Sequence, residues 1–351
     1  MGKFLRYIRL AKELGGQAGN KSTVRQIMEW GLLFLRSRLG PGFYYLAKMQ
    51  RLDTSTQQLL GYWSLRQYHR RVNEYNERLY HRSSQNKVVE KAILSSYGIP
   101  TPELLGHYHP VRGFSTTGEP LRSQSDLQRL LSNLTPGSRV CFKLTESWGG
   151  NGFRAVEAGE NNTLKDLHSG EIYTLDDYLP LLITSGGEGI LLERYLVQHP
   201  EFARFNPSSV NSLRCMITLD TQGQTVCHLV FLRVGSLGSL VDNTQSGGML
   251  YPVDLQSGCL QAGYHKNAPH LLYAQNPGTG ETMAGRPVPM LSEALELAGR
   301  SILAFPGIRF SGTDIAMSLS GPVVLEQNIL PDYSGFAHTR VPSRSVLKKK
   351  N

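Results

Sequence analysis

The chain has 351 residues, 40% of them apolar and 19% charged, enough to bury one large or two ordinary cores and unlike a disordered, fibrous or disulfide-framework protein. Its four cysteines, Cys141, Cys215, Cys227 and Cys259, lack a C-x-x-C spacing, so core-filling thiols are expected rather than bridges or zinc ligands. The net charge of +9 belongs entirely to the first 80 residues, which hold 14 Lys and Arg against 5 Asp and Glu, while residues 81–351 hold 23 of each.

The opening, Met1-Gly2-Lys3-Phe4-Leu5-Arg6, lacks the apolar stretch of a signal peptide. No apolar run approaches the roughly 18 residues that cross a bilayer, so a cytoplasmic protein is expected. Val24, Ile27, Met28 and Leu35 predict a helix that stops at Leu39-Gly40-Pro41-Gly42. Leu65, Tyr68, Val72, Tyr75 and Leu79, spaced by three and four, predict a second helix packed on the body. Residues 1–83 thus read as a basic helical region, either a solvated cap with arginines outside or a surface for anionic lipid, an acidic glycan or a glycosyltransferase. Nucleic acid is disfavoured because no binding motif accompanies the charge.

From residue 84 the pattern becomes that of an α+β body of short strands between glycine and proline turns. A helix is predicted over Asn86–Leu94, stopped by Gly98 and by Pro100 and Pro102, with Lys87 in its first turn. The segments Val140–Leu144 and Phe153–Glu157 predict a hairpin whose long tip carries Gly149, Gly150 and Gly152. Glycines let backbone N–H groups turn toward a phosphate, and Lys143 at the base of the tip supplies a fixed charge. The context is neither a Walker loop nor a dinucleotide fingerprint.

Ile190–Leu196 predicts a buried strand ending in the charged Glu193-Arg194 pair, and Val210–Leu219 and Val226–Val234 predict adjacent strands. Arg214 and Arg233 lie within those apolar strands and need an anionic partner, a carboxylate of the protein or a phosphate. After a helix at Ser292–Leu303, two strands flank a Ser-Gly-Pro turn. Centred on Ser320, the turn sets Asp314 opposite Glu326, and Asn328 shares a face with Glu326. Two carboxylates and an amide suit Mg²⁺ rather than zinc. Burying the two carboxylates without a cation would cost several kcal/mol. The histidines, among them His107, His109, His228 and His338, have no metal spacing.

The order of these features resembles the ATP-grasp superfamily. Within it, Asn206–Arg214, the stretch from Val241-Asp242-Asn243 to Gly247-Gly248, and Gly312-Thr313-Asp314-Ile315-Ala316 resemble the sugar-transfer-associated ATP-grasp family. The resemblance implies an ATP-grasp fold over 84–345, two α+β lobes clasping ATP, with a glycine-loop lobe at about 138–196 and a metal-binding lobe at about 197–340. By similarity, Lys87 and Lys143 contact ATP phosphates, and Gly149, Gly150 and Gly152 close over them. Glu193, Arg194, Tyr195 and Leu196 would line the adenine, with Glu201 as a ribose ligand and Asn211 also in the nucleotide site. Arg214 and Arg233, with Lys143, would act on the transferring phosphoryl group, and Asp314, Glu326 and Asn328 would hold Mg²⁺. The implied reaction joins a carboxylate to an amine, on small-molecule or sugar-linked substrates in surface polysaccharide assembly. The alternatives are an ATP-grasp kinase and a catalytically silent nucleotide-binding module.

Overall fold

The computed structural model describes residues 2–147, 149–184, 189–242 and 247–348. Alternating apolar side chains fold the body into two antiparallel sheets. The first is built from β1 (Leu104–Tyr108), β2 (Phe114–Ser115), β3 (Arg139–Leu144), β4 (Arg154–Ala158), β5 (Thr163–Asp166), β6 (Ile172–Thr174) and β7 (Ile190–Arg194), in the order β2-β1-β7-β3-β4-β5-β6. The second contains β8 (Ser212–Leu219), β9 (Thr225–Val234), β10 (Met249–Asp254), β11 (Cys259–Leu260), β12 (Tyr264–His265), β13 (Phe310–Ser318) and β14 (Gly321–Asn328). Its order is β11-β10-β9-β8-β13-β14, with β12 paired to β10. Because the first sheet takes in β1 and β2, its lobe reaches further toward the N-terminus than the glycine-loop lobe expected at about 138–196.

Strand periodicity gives the second sheet two distinct faces. Leu213, Cys215 and Ile217 of β8, with Val230 and Leu232 of β9, face one core, which the helix Leu291–Leu303 covers. Met216, Leu229, Phe231, Leu250 and Phe310 face the other, which is covered by N-terminal residues such as Leu33, Tyr44, Tyr68 and Val72. Arg214, Arg233 and Asp314 alternate with the first set, so they share the second face and sit where the helical cover ends.

The N-terminal region is therefore a structural layer and not a loose cap. Asn76 donates to the carbonyls of Phe310 and Ile329 at 2.7 Å each, and Trp63 Nε1 donates to Leu347 O at 2.9 Å. The two predicted helices form at Thr23–Ser37, capped by Ser22, and at Leu65–Tyr75, capped by Ser64. Their apolar stripes differ in burial. On Thr23–Ser37 the buried residues are Gln26, Trp30, Leu33 and Ser37, while Val24, Ile27, Met28 and Leu35 point to solvent. On the later helix Tyr68 and Val72 are buried as expected, but Leu65 is 51% exposed and Leu79 lies beyond the helix end at 90%.

The helix Lys87–Ser96 begins at Asn86, whose side chain accepts the N–H groups of Val88 and Val89, and Gly98 follows it at φ +62°. It bridges the two sheets, reaching β7 through Lys91 and β14 through Glu90.

Candidate active site

The two sheets and this bridging helix enclose a cleft. On the first-sheet side, β3 pairs with β7 so that Cys141 lies opposite Glu193, and Lys143 projects two residues further along. The Glu193 side chain is fully buried between two ammonium groups, Lys91 Nζ and Lys143 Nζ, each 2.6 Å away. Burial alone would raise the Glu193 pKa, but Lys143 and Lys91 outweigh it and hold the carboxyl below its ordinary value. Lys143 remains charged because Glu193 more than offsets the burial that opposes it. One carboxylate between two lysines leaves one positive charge facing the cleft.

Lys87 Nζ donates to the carbonyl of Ser147 at 2.7 Å, tying the bridging helix to the root of the glycine loop. Burial lowers its pKa. Gly149, Gly150 and Gly152 hold φ values of +68°, +76° and +71°, the left-handed region that glycine tolerates. The first two line the cleft, whereas Gly152 packs at the base of the loop, where an added Cβ would lie 2.5 Å from Leu144 Cδ1. Trp148, next to Gly149 in the tip, and Asn243, after Asp242, lie outside the described residues.

Across the cleft, the hairpin β13–β14 pairs Asp314 with Glu326 and Gly312 with Asn328, as the turn arithmetic predicts. The route differs slightly. Ser318 pairs with Gly321, a register that would by itself set Asp314 opposite Leu325, and a bulge after Val324 shifts the pairing by one residue. Both Leu325 and Glu326 consequently line the cleft.

The strand arginines have protein carboxylates as partners. Asp314 lies opposite Arg214 in the β8–β13 pairing. Its carboxylate takes a bidentate grip from Arg214, through Nε and through Nη2 at 2.8 Å, and a further bond from Arg233 Nη2 at 3.1 Å. Arg233 also holds Asp242, with Nη2 at 3.0 Å from Oδ1, and Ser212 donates to the same carboxylate. Burial pushes Asp314 upward, but Arg214 and Arg233 hold it below its ordinary range, whereas burial keeps Asp242 above its own. Gly312 makes room for this arrangement, since a Cβ there would approach Arg214 Cδ to 3.0 Å.

The cation that the buried carboxylates require is thus, for Asp314, a pair of guanidinium groups. Glu326 differs: it is only partly buried, no hydrogen bond or ion pair holds its carboxylate among the described residues, and its charge acts on Lys87 and Lys143. Nδ2 of Asn328 makes no hydrogen bond of regular geometry, and its amide lies against the Asp314 carboxylate, where it helps to hold that group's pKa down. No cluster of three or more His, Cys, Asp or Glu side chains suited to a metal ion occurs among the described residues. The set therefore fits Mg²⁺ only as a partial shell, Glu326 and Asn328 with a share of Asp314, completed by water and phosphate oxygens.

Arg194, Tyr195, Leu196 and Arg233 line the same cleft. Arg214 and Asn328 line its continuation past Gly150, together with Lys266, Asp332 and His338. Besides Gly152, two expected residues are not brought to the cleft. Glu201 lies in the short helix Pro200–Ala203 and faces Arg204 and Arg286 at 3.5 and 3.9 Å. Asn211 is buried in a loop network, donating to Phe202 O at 2.8 Å, because its amide organises the turn before β8. The sequence reading also missed Lys91, Glu90 and Asp242. Lys91 follows Lys87 by four residues, one helical turn, a spacing that signals a shared face. Glu90, fully buried, accepts the Gln327 N–H, and burial followed by the charge of Glu326 pushes its pKa well up.

A family model for sugar-transfer associated ATP-grasp proteins matches residues 66–349. No curated protein matches the chain. Similar solved structures include N5-carboxyaminoimidazole synthase of Aspergillus clavatus in complex with ADP and 5-aminoimidazole ribonucleotide, 13% identical over 79% of this chain and 55% of that one, with a TM-score of 0.43. Biotin carboxylase of Campylobacter jejuni is 10% identical over 76% of this chain and 46% of its own, with a TM-score of 0.45. D-alanyl-alanine synthetase A of Vibrio cholerae is 11% identical over 73% and 59%, with a TM-score of 0.39. The chain spans about half the length of the first of these structures.

Proposed function

Because the chain belongs to the sugar-transfer associated ATP-grasp family, we propose that it is an ATP- and Mg²⁺-dependent ligase that joins a carboxylate to an amine. The observation that carries this reading is the opposition, across one cleft, of a cationic lysine cradle and a free carboxylate beside two ion-paired arginines. Phosphoryl transfer needs positioning and charge neutralisation more than a protein nucleophile.

Lys143 and Lys87 would neutralise the phosphates beneath Gly149 and Gly150, and Arg194 to Leu196 would border the base. Glu326 and Asn328, with Asp314, would hold Mg²⁺, which when bound draws charge from the phosphate oxygens. The substrate carboxylate oxygen attacks the γ-phosphorus, the bond to ADP breaks, and an acyl phosphate forms. The amine nitrogen then attacks the acyl carbon, phosphate leaves, and the amine gives up a proton. Arg214 and Arg233 would stabilise the charge on the transferring group, and the closed glycine loop would keep water from the acyl phosphate. Acceptor and donor would enter by the continuation past Gly150, where Lys266, paired with Asp332 at 3.4 Å, would exchange that partner for a substrate carboxylate. The family description supports a place in cell-surface polysaccharide or related conjugate assembly.

A second reading, a nucleotide-binding module without turnover, draws on the fact that both Asp314 oxygens are already held by guanidinium groups. Calorimetry with ATP, with and without Mg²⁺, on the wild type and Glu326→Gln separates the outcomes. The proposal expects Mg²⁺ to tighten ATP binding by about tenfold or more in the wild type and little in the variant. It further expects amine-dependent ADP release in a screen of acids. Equal Mg²⁺ dependence in both proteins removes Glu326 from the metal site, and binding without ADP release favours the silent module.

A further inference from the structure

The helix Thr23–Ser37 buries its less apolar side. Val24, Ile27, Met28, Phe34 and Leu35, spaced by three, four or seven residues, form a stripe along its solvent face, with Met28 70% and Leu35 74% exposed. From Val24 to Leu35 the stripe runs about 17 Å. The neighbouring helix Gly2–Gly15 adds the exposed Phe4 and Leu5, and Phe4 leans edge-on against Trp30, on the packed side of Thr23–Ser37, with ring centroids 6.4 Å apart. An exposed apolar stripe of this kind on a packed helix marks an interaction site.

The charge around it identifies the partner. Residues 1–40 carry eight Lys and Arg against two Glu. Both glutamates lie in these helices, and Glu29 is paired with Lys21 and Arg25. Arg6, Arg9, Lys12, Arg36 and Arg38 are exposed and form no ion pair among the described residues. Arg38 folds back over the Phe34 ring at 5.3 Å, keeping its charge beside the apolar stripe. A second copy of the chain would oppose like charges across this face. An anionic bilayer surface instead offers acyl chains to the stripe and headgroup charge to the arginines. No helix among the described residues is long and apolar enough to cross a membrane, so the contact is one that lies on the surface.

We propose that the helices Gly2–Gly15 and Thr23–Ser37 dock the protein on an anionic phospholipid surface, with Val24, Met28 and Leu35 entering the headgroup boundary. The test is co-sedimentation of the full chain with vesicles of mixed phosphatidylcholine and phosphatidylglycerol, against vesicles of phosphatidylcholine alone. The wild type should sediment with the mixed vesicles only, and less at high salt. Met28→Glu with Leu35→Glu should lose at least about tenfold in partitioning. Arg36→Gln should lose about fivefold, as expected for one basic residue at such a surface. All three positions are exposed, so the variants should melt as the wild type does. Equal sedimentation with both vesicle types, or full binding by the double variant, overturns the proposal. So does a wild-type dimer that the double variant converts to a monomer, since a second copy then covers the face.

Discussion

At the residue scale, the unit around Glu193 separates folding from ligand binding. Removing its carboxylate leaves Lys91 and Lys143 as uncompensated cations in a buried site, while removing Lys143 leaves Glu193 still paired with Lys91 at 2.6 Å. Glu193→Gln should therefore cost about 3–5 kcal/mol in urea unfolding. Lys143→Met should cost much less stability but weaken ATP binding by roughly 10- to 100-fold, the worth of one charge-assisted hydrogen bond. The reverse ranking in paired unfolding and calorimetry experiments would mean that Lys143 is a structural group. His338 supplies a pH dependence. It is buried, bonded to the Tyr264 hydroxyl at 2.8 Å, and burial drives its pKa from 6.5 down to about 3. The unfolded chain takes up a proton that the folded chain refuses, so this contribution is whole above pH 6.5 and is lost as pH falls toward 3. Between pH 7 and about pH 5 the loss is about 2 kcal/mol. His338→Asn should remove that part of the difference between urea unfolding at the two pH values, and an unchanged difference would assign it to other groups.

Among the elements, the glycine hairpin and the β13–β14 hairpin were both readable from sequence, because turn chemistry and period-two alternation act locally. Even the opposition of Asp314 and Glu326 was legible, although the bulge that produces it was not. The pairing of Arg214 with Asp314 was not legible, since they are 100 residues apart and meet only because β8 and β13 are neighbours. Which face of Thr23–Ser37 is buried was not legible for a different reason. Periodicity finds an apolar stripe and cannot say whether protein or solvent meets it, and here Gln26 and Ser37 are buried by hydrogen bonds to Lys21 O and Tyr62 O at 2.6 and 2.7 Å. Within the loop, Gly152 and Gly150 should behave differently. A Cβ at Gly152 would lie 2.5 Å from Leu144 in addition to the positive φ, whereas at Gly150 it would come only to 3.2 Å from Val241 across the cleft. Gly152→Ala should cost about 1–3 kcal/mol of stability. Gly150→Ala should cost less and raise the KM for ATP, which thermal melting and steady-state ADP release can read side by side.

For the whole molecule, the placement of the reactive charges explains why the N-terminal layer cannot be removed as a module. One face of the second sheet is divided between Phe231 and Leu250, under the helices, and Arg233 and Asp314, in the cleft. The layer is anchored by Phe43 stacked on Tyr333 at 5.4 Å and by Lys48 Nζ above the Tyr264 ring at 4.2 Å. Deleting residues 2–60 would remove ten buried apolar side chains, from Ala11 and Leu14 to Leu59. At about 1.5–3 kcal/mol for each large side chain, the loss is as large as or larger than the roughly 5–15 kcal/mol that keeps a domain folded. The truncated chain should aggregate or bind a dye for exposed apolar surface, with no cooperative melting. If it melted cooperatively within a few degrees of the full chain, the layer would be a separable domain. Single substitutions on its solvent face carry no such penalty, because Met28 and Leu35 contribute nothing to the shared core. Full-length surface variants are therefore the way to ask what the N-terminal helices do, and the loss of activity in a truncated chain would report only the collapse of the wall beside Arg233 and Asp314.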